Sequence, residues 1–571
     1  MNTWRRRSLV AGTCLSLAVQ VVLHPSAARA ATDYYVDSVG GSDANSGTGL
    51  GSAWQTLAKI AGAILQPGDT VHFARGSTWT AGAVFAWSGT ASAYITLIAY
   101  TPAGGATAPP TLNNTTPVGT GPTPYGNGLE VTGSYVKIDG LAFKHDAAIA
   151  SFTDAAYRSS GALMIPASAD HDVVQNSEFT GVDIGLKLYG QHALITHNYF
   201  HDLVMGYNGA DQSYGAIGVS VNNSYNEIAY NRFINCRNPS QAYGYDGGAI
   251  ELEGYDVANK TDISIHHNYS SASQGFLEVT ETTSTNVTLA YNYSDDYQEF
   301  VAWDNTDVPG GYLAVNNTVI CTHPENASDL FTQYRYNGTN PTPDASWLTY
   351  RNNIFYITNG GRVSPLFNWP HDHNLAYSST ASDPLGQPIG WGDILADPQF
   401  VNYAARDLHL QPTSAAINAG VAAGYALDLE GNPVPSGLAP DLGAYEYDAL
   451  KDGSFEGQTS PSVAPPWATA GSYEGIDLAQ GKARSGQNNG WVASTGGGFS
   501  DLEQTFPVTP SSTYLATCYV NSSANFSDGS IGARTGGATR SSKTFPGTSG
   551  YTQEMVSFNS GSNTAATLHI G

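Results

Sequence analysis

A six-residue motif recurs eight times in the middle of this chain, and it constrains the fold more than any other feature. The motif is an apolar residue, two variable residues, usually an asparagine, a further variable residue and often a phenylalanine. Its copies begin at Ile138, Val174, Ile195, Ile228, Ile265, Leu289, Ala314 and Tyr350. The shorter intervals between copies, 21 to 25 residues, match one coil of a solenoid, and the longer intervals match a coil with an inserted loop.

The asparagines of the motif predict a ladder at one corner of that solenoid. When coils stack, side chains at equivalent positions lie above one another, and stacked amides hydrogen-bond along the axis. The asparagines expected to form this ladder are Asn198, Asn231, Asn268, Asn292, Asn317 and Asn353.

The repeat resembles the right-handed parallel β-helix of the pectate-lyase-like superfamily, over residues 31–446. The segment from Tyr34 to Gly47 before the repeat and the segment from Asp441 to Tyr447 after it resemble the two ends of such proteins. The resemblance implies an all-β fold and a carbohydrate-active protein. The same scaffold carries lyases, hydrolases, epimerases and binding proteins, so the fold alone does not select an activity.

A short helix is predicted ahead of the repeat, where it would cover the open first coil. Ser52 and Gln55 have the spacing of a capping box, and Pro67-Gly68 would end the segment. The apolar face of this helix is expected to consist of Trp54, Leu57, Ile60 and Ile64.

A second domain is predicted after the solenoid, which gives the division 31–449 and 450–571. The segment from Asp452 to Glu456, followed by Trp467 and short alternating strands, resembles the start of carbohydrate-binding jelly-roll modules. Trp467 and Trp491 are the candidates for stacking on sugar rings, although a β-sandwich core uses tryptophan equally well. A sandwich that serves only folding or attachment is the alternative.

Residues 1–30 are predicted to be a signal peptide. Arg5 to Arg7 precede an apolar run from Leu9 to Leu23, and Ala28-Arg29-Ala30 forms a cleavage site before Ala31. No other stretch is apolar enough to span a bilayer. We therefore expect a secreted protein without a membrane partner.

The composition excludes several classes of protein. Only 12% of the residues are charged and the formal net charge is −25, so a nucleic-acid partner is not expected, because phosphate binding needs concentrated positive charge. Cysteines 236, 321 and 518 match neither a disulfide framework nor a zinc motif. We expect all three thiols to stay reduced.

Strands that follow the asparagine corner can be aligned by their apolar alternation. Because successive side chains point to opposite faces of a strand, every second residue faces outward. The alignment predicts one outward column of Gly185, Gly218, Glu251, Glu278 and Ala302. It predicts a second outward column of Lys187, Ser220, Glu253, Thr280 and Asp304.

This alignment concentrates carboxylates on one face of a chain that is poor in charge. Neighbouring coils lie about 4.8 Å apart, so Glu251 and Glu278 should be stacked neighbours, and at least one carboxyl should have a raised pKa. A protonated acid beside an ionised carboxylate is typical of a glycosidase. Glu251, Glu253, Glu278 and Asp304 are therefore the acid, base or nucleophile candidates of a glycoside hydrolase that requires no cofactor. Their individual roles and the stereochemistry stay open.

Two inserted segments, 201–215 and 235–248, are expected to form the walls of the cleft. They adjoin the carboxylates, and long inserted loops are common places for binding residues. Tyrosines in these and nearby loops could stack on sugar rings. They are Tyr189, Tyr207, Tyr214, Tyr243, Tyr245 and Tyr297.

A calcium-assisted polysaccharide lyase is the first alternative. The resemblance implies a lysine or arginine base and often calcium, so Lys187 would be the base and Glu251, Glu253 and Glu278 would hold the metal. No outward arginine is evident for the carboxylate of a uronate substrate, and the negative net charge repels a polyuronate. These two observations place the lyase second. A solvated acidic face is the remaining interpretation of the carboxylates.

The second alternative is a non-catalytic extracellular glycan-binding or adhesion protein that uses the solenoid as a spacer. Such a protein needs no convergent carboxylates on its outer face, so the predicted cluster argues against it. The main interpretation is a secreted enzyme that acts on a polysaccharide and works as a monomer.

Overall fold

A computed structural model describes residues 29–116, 128–145, 161–254, 259–280, 282–304, 308–323, 329–333, 342–448, 450–471, 473–484, 487–493, 500–508, 510–522, 529–548 and 550–571. Residues 1–28 of the predicted signal peptide therefore lie outside the described residues. Residue 449, at the predicted domain boundary, also lies outside them.

Three parallel sheets, here sheets 1, 2 and 3, run along the axis of the solenoid, and successive coils pair side by side in each. Sheet 1 consists of Asp33–Val36, Thr70–Ala74, Ile95–Tyr100, Val136–Asp139, Val173–Gln175, Leu194–Thr196, Glu227–Ala229, Asn259–His266, Thr283–Ala290, Tyr312–Val315, Leu348–Arg351 and His371–Asp372. Sheet 2 consists of Thr78–Ala81, Thr111–Thr116, Ala142–His145, Glu178–Thr180, Tyr199–His201, Arg232–Ile234, Tyr269–Ser271, Tyr293–Asp295, Thr318–Cys321, Ile354–Ile357, Leu375–Ser378 and Ile394–Leu395. Sheet 3 consists of Ala83–Phe85, Leu129–Val131, Gly161–Ile165, Ile184–Leu188, Ile217–Val221, Gly248–Glu253, Leu277–Thr280, Val301–Trp303 and Phe331–Gln333. The predicted all-β class and parallel β-helix are confirmed.

The apolar positions of the repeat form the core between the sheets. The phenylalanines that end four copies of the motif, Phe143, Phe179, Phe200 and Phe233, stack face to face with ring centroids 4.5 to 5.0 Å apart. Each ring packs against the ring of the neighbouring coil because the strands pair in register at these residues. Offset stacks of this kind stabilise a core beyond simple area burial.

The asparagine ladder is present and is longer than predicted. Each side-chain amide donates to Oδ1 of the asparagine on the next coil at 2.9 to 3.1 Å, from Asn198 through to Asn374. The residue before each ladder asparagine has a positive φ, as at His197, Tyr230 and His267. That left-handed conformation turns the corner between sheets 1 and 2. His267 stacks between Tyr230 and Tyr291, so its ring contributes to the packing of this corner.

The segment before the solenoid differs from the prediction in its details. Helix α1 covers Leu57–Ala61 and follows a 3₁₀-helix at Leu50–Ser52. Its N-cap is Thr56, whose side chain accepts a hydrogen bond from the backbone of Lys59, so the predicted capping box at Ser52 is wrong. Trp54, Leu57 and Ile60 are buried as expected, but Ile64 is 83% exposed because the helix ends before it.

The solenoid is followed by a short antiparallel pair, Phe400–Asn402 with Asp407–Leu410, joined by a 3₁₀-helix at Tyr403–Ala405. The strands after residue 450 are all antiparallel. A five-stranded sheet contains Ala468–Ala470, Asp501–Pro507, Ala565–Ile570, Gly529–Thr535 and Ala538–Phe545. Two further pairs are Glu474–Asp477 with Asn489–Val492, and Thr513–Val520 with Thr552–Asn559. The division into domains at residue 450 stays a prediction.

The two tryptophans of this C-terminal part lie in different surroundings. Trp467 is 3% exposed, stacks on Phe455 and donates from Nε1 to the carbonyl of Asp452. Its predicted role in sugar stacking is therefore wrong, because the ring belongs to the core. Trp491 is 39% exposed and stays a candidate.

Cys236, Cys321 and Cys518 form no disulfide bond in the described part of the chain. Within the described ranges, no helix has the length and apolar character needed to cross a membrane.

Candidate active site

The predicted pairing of Glu251 with Glu278 is confirmed. The strands Gly248–Glu253 and Leu277–Thr280 pair in parallel with Glu251 opposite Glu278. Ile250, which precedes Glu251, and Leu277, which precedes Glu278, belong to the buried core. Both glutamates therefore lie on the outer face of sheet 3, because neighbouring residues of a strand point to opposite sides.

The predicted register is wrong by two residues between the strands Ile217–Val221 and Gly248–Glu253. Glu251 lies opposite Ser220, not opposite Gly218. Lys187 also pairs with Ser220, so Lys187 belongs to the same column as Glu251 and Glu278, two coils before Glu251. A slip of two residues keeps every side chain on its face, so the apolar pattern could not detect it.

The glycines of the predicted outward column do not face solvent. A Cβ at Gly185 would lie 2.6 Å from the ring of Phe200, and one at Gly218 would lie 2.6 Å from the ring of Phe233. These positions therefore require glycine because the stacked phenylalanines occupy the space. They lie against the core rather than beside the carboxylates.

Lys187 is buried, contrary to the prediction that it faces outward as a surface base. It is 2% exposed and ranks among the largest fully buried side chains. Gly161 makes room for it, since a Cβ there would lie 3.1 Å from Cγ of Lys187.

A further carboxylate in this column, Glu130, escaped the sequence analysis. It pairs with Met164, which pairs with Lys187, and it is 1% exposed. The Leu129-Glu130-Val131 pattern is the same apolar–Glu–apolar pattern that marks Glu251, so a signal for it was present.

Two antiparallel hairpins rise beside the glutamates where the cleft walls were predicted. Hairpin 1 pairs Met205–Asn208 with Ser213–Gly215, and hairpin 2 pairs Asn238–Ser240 with Gly244–Asp246. They are joined by hydrogen bonds of 2.8 Å between the hydroxyls of Ser240 and Ser213 and of 3.0 Å from the Asn208 amide to the Pro239 carbonyl. The two hairpins therefore contact each other directly.

The hairpins add polar groups to the site. The hydroxyl of Tyr214, on hairpin 1, donates to Oε1 of Glu253. Asp246, at the end of hairpin 2, raises the pKa of both Glu251 and Glu278 through its charge. Glu299 and Asp304, before and after the strand Val301–Trp303, act on Glu278 in the same way. We call Asp246, Glu251, Glu253, Glu278, Glu299 and Asp304 the carboxylate cluster.

Burial and mutual repulsion raise the pKa values within the carboxylate cluster. Burial raises the pKa of Glu278 to about 8, and the charges of Asp246, Glu299 and Asp304 add to this. Burial, followed by the charges of Glu278 and Glu253, also raises the pKa of Glu251 well above its usual range. Burial raises the pKa of Asp246 to about 7. The cluster therefore holds protonated carboxyls near neutral pH.

Exposure distinguishes the members of the cluster. Glu251 and Glu253 are 5% and 6% exposed, whereas Glu278 and Asp304 are half-buried. Glu278 lines a small cavity of about 10 Å³, roughly the space of one water molecule, together with Gly247, Gly248, Gly275, Gln298 and Glu299. A group outside the protein can therefore approach Glu278 more easily than Glu251.

An arginine also lies near the cleft, although none was evident from the sequence. The guanidinium of Arg237 lies between the rings of Tyr245 and Tyr297, 3.6 and 3.5 Å from their centroids. Its Nε donates to Oε1 of Gln274 at 2.7 Å. The sequence could not reveal this contact because it joins three separate coils.

The donor set of the carboxylate cluster consists of oxygen atoms, which suits a hard cation such as Ca²⁺. A bound divalent cation would also relieve the repulsion that raises the pKa values of Glu251 and Glu278. Within the described residues, however, no three carboxylate oxygens of the cluster lie within 4.8 Å of one another, so the cluster fits calcium in donor type and not in spacing.

Comparisons with known proteins concern the fold alone. No protein-family model matches the sequence, and no curated protein matches it. A pectate lyase, Pel9A, is 16% identical, and the match covers 73% of this chain and 96% of that chain with a TM-score of 0.46. An alginate lyase from Paenibacillus sp. str. FPU-7 is 16% identical over 55% of this chain and 97% of that chain, with a TM-score of 0.30. A GH136 lacto-N-biosidase from Eubacterium ramulus is 13% identical over 64% of this chain and 67% of that chain, with a TM-score of 0.34.

Proposed function

We propose that this protein is a polysaccharide-degrading enzyme that hydrolyses glycosidic bonds at the carboxylate cluster. The proposal rests on the exposure and the raised pKa of Glu278. Its side chain lines a water-sized cavity, is half-buried and has a pKa of about 8. It can therefore donate a proton to a leaving sugar at neutral pH, which is the role of a general acid.

Asp304 is the proposed partner of Glu278. Among the sequence-predicted carboxylates, these two are the ones that keep contact with solvent. Glu278 lies opposite Ala302, so Asp304 is one coil further along the axis and two residues further along the strand. Spacings of about 4.8 Å between strands and about 3.3 Å per residue place the two backbones roughly 8 Å apart.

If the carboxyl groups keep the separation of their backbones, the pair suits an inverting hydrolase. Inverting enzymes hold their two carboxyl groups about 6.5–9.5 Å apart, with room for a water molecule between base and sugar. In this proposal Glu278 protonates the glycosidic oxygen, and Asp304 removes a proton from the attacking water. Glu251 and Glu253 do not contact the sugar in this proposal, because both are buried and Glu253 accepts a hydrogen bond from Tyr214. They influence the reaction through their charges.

The test is activity on a panel of polysaccharides, measured both as new reducing ends and as the ultraviolet absorbance of an unsaturated sugar. Hydrolysis predicts reducing ends without absorbance. Glu278→Gln should lower kcat by about 100- to 10,000-fold, with partial recovery on aryl glycosides whose leaving group needs no protonation. Glu227→Gln, which alters an exposed glutamate of sheet 1 that contacts His266, is the matched control and should leave kcat unchanged. Full activity of Glu278→Gln would contradict the proposal.

A cation-assisted lyase is the second candidate, and the crowding of carboxylates favours it. Glu251, Glu253 and Glu278 would hold Ca²⁺ after their side chains move closer together, and the ion would bind and polarise an acidic sugar. Lys187 would serve as the base, but its 2% exposure counts against direct contact with substrate. A lyase predicts ultraviolet absorbance together with reducing ends, and loss of both after chelation of calcium.

The proposed enzyme is secreted, with residues 1–30 as signal peptide and residues 450–571 as a glycan-binding module. Both assignments come from the sequence patterns. A mature N-terminus at Ala31 in the culture medium would support the first. If no glycan of the panel were cleaved while one of them bound, the non-catalytic adhesion protein would replace the enzyme.

A further inference from the structure

We propose that Arg237 is a positioning residue of the carboxylate cluster, which holds together the three chain segments that enclose the cavity at Glu278. This role rests on the proposed function, since the shape of the cavity matters for the reaction only if Glu278 is the acid. Arg237 is partly exposed and comes directly before the first strand of hairpin 2. It acts through its neighbours and does not contact the sugar.

The guanidinium of Arg237 joins three successive coils. It lies 3.6 Å from the ring centroid of Tyr245, which belongs to hairpin 2, and 3.5 Å from that of Tyr297, two coils further along the axis. Its Nε donates to Oε1 of Gln274, on the coil between them, at 2.7 Å. A planar guanidinium can stack on two rings and donate a hydrogen bond in its own plane at the same time.

Each of these three partners comes shortly before residues that line the cavity. The lining residues lie one to three positions after the partner, so a movement of the partner is passed on to them through the backbone. They are Gly247 and Gly248 after Tyr245, Gly275 after Gln274, and Gln298 and Glu299 after Tyr297.

Hairpin 2 is the segment that gains most from this link. It returns to sheet 3 through Gly247 and Gly248, which carry no side chains that could pack against the neighbouring coils, and glycine has the largest conformational freedom in the unfolded chain. Gly247 also has a positive φ of 116°. Arg237 therefore supplies a side-chain contact between hairpin 2 and the next two coils where the glycines cannot.

The partners of Arg237 are themselves held in place. Gln274 is 7% exposed, and its backbone carbonyl accepts a hydrogen bond of 2.8 Å from the N–H of Gln298. The ring of Tyr297 stacks on the ring of His323, with centroids 4.0 Å apart. The arginine is therefore anchored to side chains that cannot easily move away from it.

Two members of the carboxylate cluster depend on these segments for their position. Asp246 lies between Tyr245 and Gly247, and Glu299 follows Tyr297 by two residues. Loss of the arginine should let both carboxylates move relative to Glu278. A displacement of about 1 Å in a reaction centre can lower the rate about 100-fold.

Arg237→Ala and Arg237→Lys in the full chain test this role by two measurements. On the polysaccharide that is cleaved fastest, kcat should fall about 10- to 100-fold while KM stays close to its original value. The backbone amides of Gly248 and Gln298 should exchange their hydrogens faster, because the segments open more often. Both variants should behave alike, since lysine keeps the charge but cannot stack on two rings.

Tyr245→Ala guards against a variant that fails to fold. The residue is 44% exposed, so its removal should leave the melting temperature unchanged. It takes away one of the two rings that hold the guanidinium, so kcat and the exchange of Gly248 should change in the same direction as in Arg237→Ala and by a smaller factor.

Arg232→Ala is the matched control. Arg232 lies between the rings of Tyr199 and Tyr269 on sheet 2, 5.6 and 5.4 Å from their centroids, so it makes contacts of the same kind away from sheet 3. This variant should leave kcat and the exchange of Gly248 and Gln298 unchanged.

Unchanged exchange in Arg237→Ala, or faster exchange with unchanged kcat, would overturn the positioning role. Full activity of Arg237→Lys would also overturn it, because the charge and not the stacked plane would then be what acts. Failure of the proposed function has a different signature, namely full activity of Glu278→Gln or no cleavage by the unaltered protein. In either of these cases the role of Arg237 in the reaction is rejected together with the function.

Discussion

The hydroxyl of Tyr214 donates a hydrogen bond to Oε1 of Glu253, a residue 39 positions later in the chain. This bond connects hairpin 1 to sheet 3, at the buried end of the carboxylate cluster. Burial and the charges of Glu253 and Glu251 raise the pKa of Tyr214 well above its usual range, so the phenol keeps its proton and acts as a donor. Tyr214 therefore fixes the position of Glu253, which follows Glu251 by two residues on the same strand.

Tyr214→Phe should slow the reaction and weaken the fold. The variant removes the donor to a buried carboxylate, which costs about 1–3 kcal/mol of unfolding free energy. Displacement of the carboxylates should lower kcat by about 10- to 100-fold, with a smaller change in KM. Tyr473→Phe, which alters a tyrosine of the C-terminal part that is 48% exposed, is the control and should leave both quantities unchanged. An unaltered kcat in Tyr214→Phe would show that hairpin 1 does not position the cluster.

The pH dependence of kcat/KM should distinguish hydrolysis from elimination. A general acid must carry its proton, and burial, with the charges of Asp246 and Glu299 next, raises the pKa of Glu278 to about 8. Hydrolysis should therefore be fastest below this value and fall as the pH rises through about 8. Elimination by a lysine base would change in the opposite direction, because the amine must lose its proton. A rate that rises above pH 8 would contradict Glu278 as acid.

The architecture could be predicted from the sequence, because the repeat encodes it directly. Phenylalanine and asparagine at fixed positions of the motif stack on themselves from coil to coil, as at Phe200 and Asn231. Contacts between equivalent positions of successive coils can be predicted without knowing the conformation of the loops between them. The pairing of Glu251 with Glu278 could also be predicted, because the connection between their strands is short and contains no long insertion.

The site was less predictable because its details depend on the register and on the inserted hairpins. The apolar pattern has a period of two, so it could not distinguish Gly218 from Ser220 as the neighbour of Glu251. The pattern also gives no sign that Lys187 becomes buried, or that Asp246 comes close enough to act on Glu278. These features arise from contacts between segments that are distant in the sequence.

Asn268→Ala should destabilise the solenoid strongly. Asn268 is fully buried, donates to the carbonyl of Ile228 and to Oδ1 of Asn292, and accepts from the amide of Asn231. Each buried group left without a partner costs about 1–3 kcal/mol, and the variant leaves several. Asn402→Ala, at an exposed asparagine that caps a 3₁₀-helix, should cost far less. Equal midpoints of the two variants in urea would show that the ladder adds little stability.

The C-terminal strands should bind polysaccharide through Trp491 and not through Trp467. Trp491 is partly exposed and lies against Gly475, where a Cβ would be 2.8 Å from its ring, so its outer face is open to a sugar. Trp491→Ala should weaken binding to insoluble polysaccharide and leave the melting temperature unchanged. Trp467→Ala should instead destabilise these strands by about 3–5 kcal/mol, as expected for a large ring removed from a core.

Deletion of residues 451–571 tests whether the C-terminal strands contribute to binding alone or also to the reaction. If these residues only raise the local concentration of substrate, the shortened protein should bind insoluble polysaccharide weakly and cleave short soluble oligomers at the full rate. The carboxylate cluster lies entirely on sheet 3 and on the loops around it, so the chemistry itself should not need the deleted strands. Loss of activity on soluble oligomers would mean that the C-terminal strands contribute to the reaction centre or to the end of the solenoid. Trp491→Ala, which should leave the strands folded, distinguishes these cases. If it retains full activity on the same oligomers, the deletion lowered activity by removing the folded strands and not by removing a sugar-binding residue.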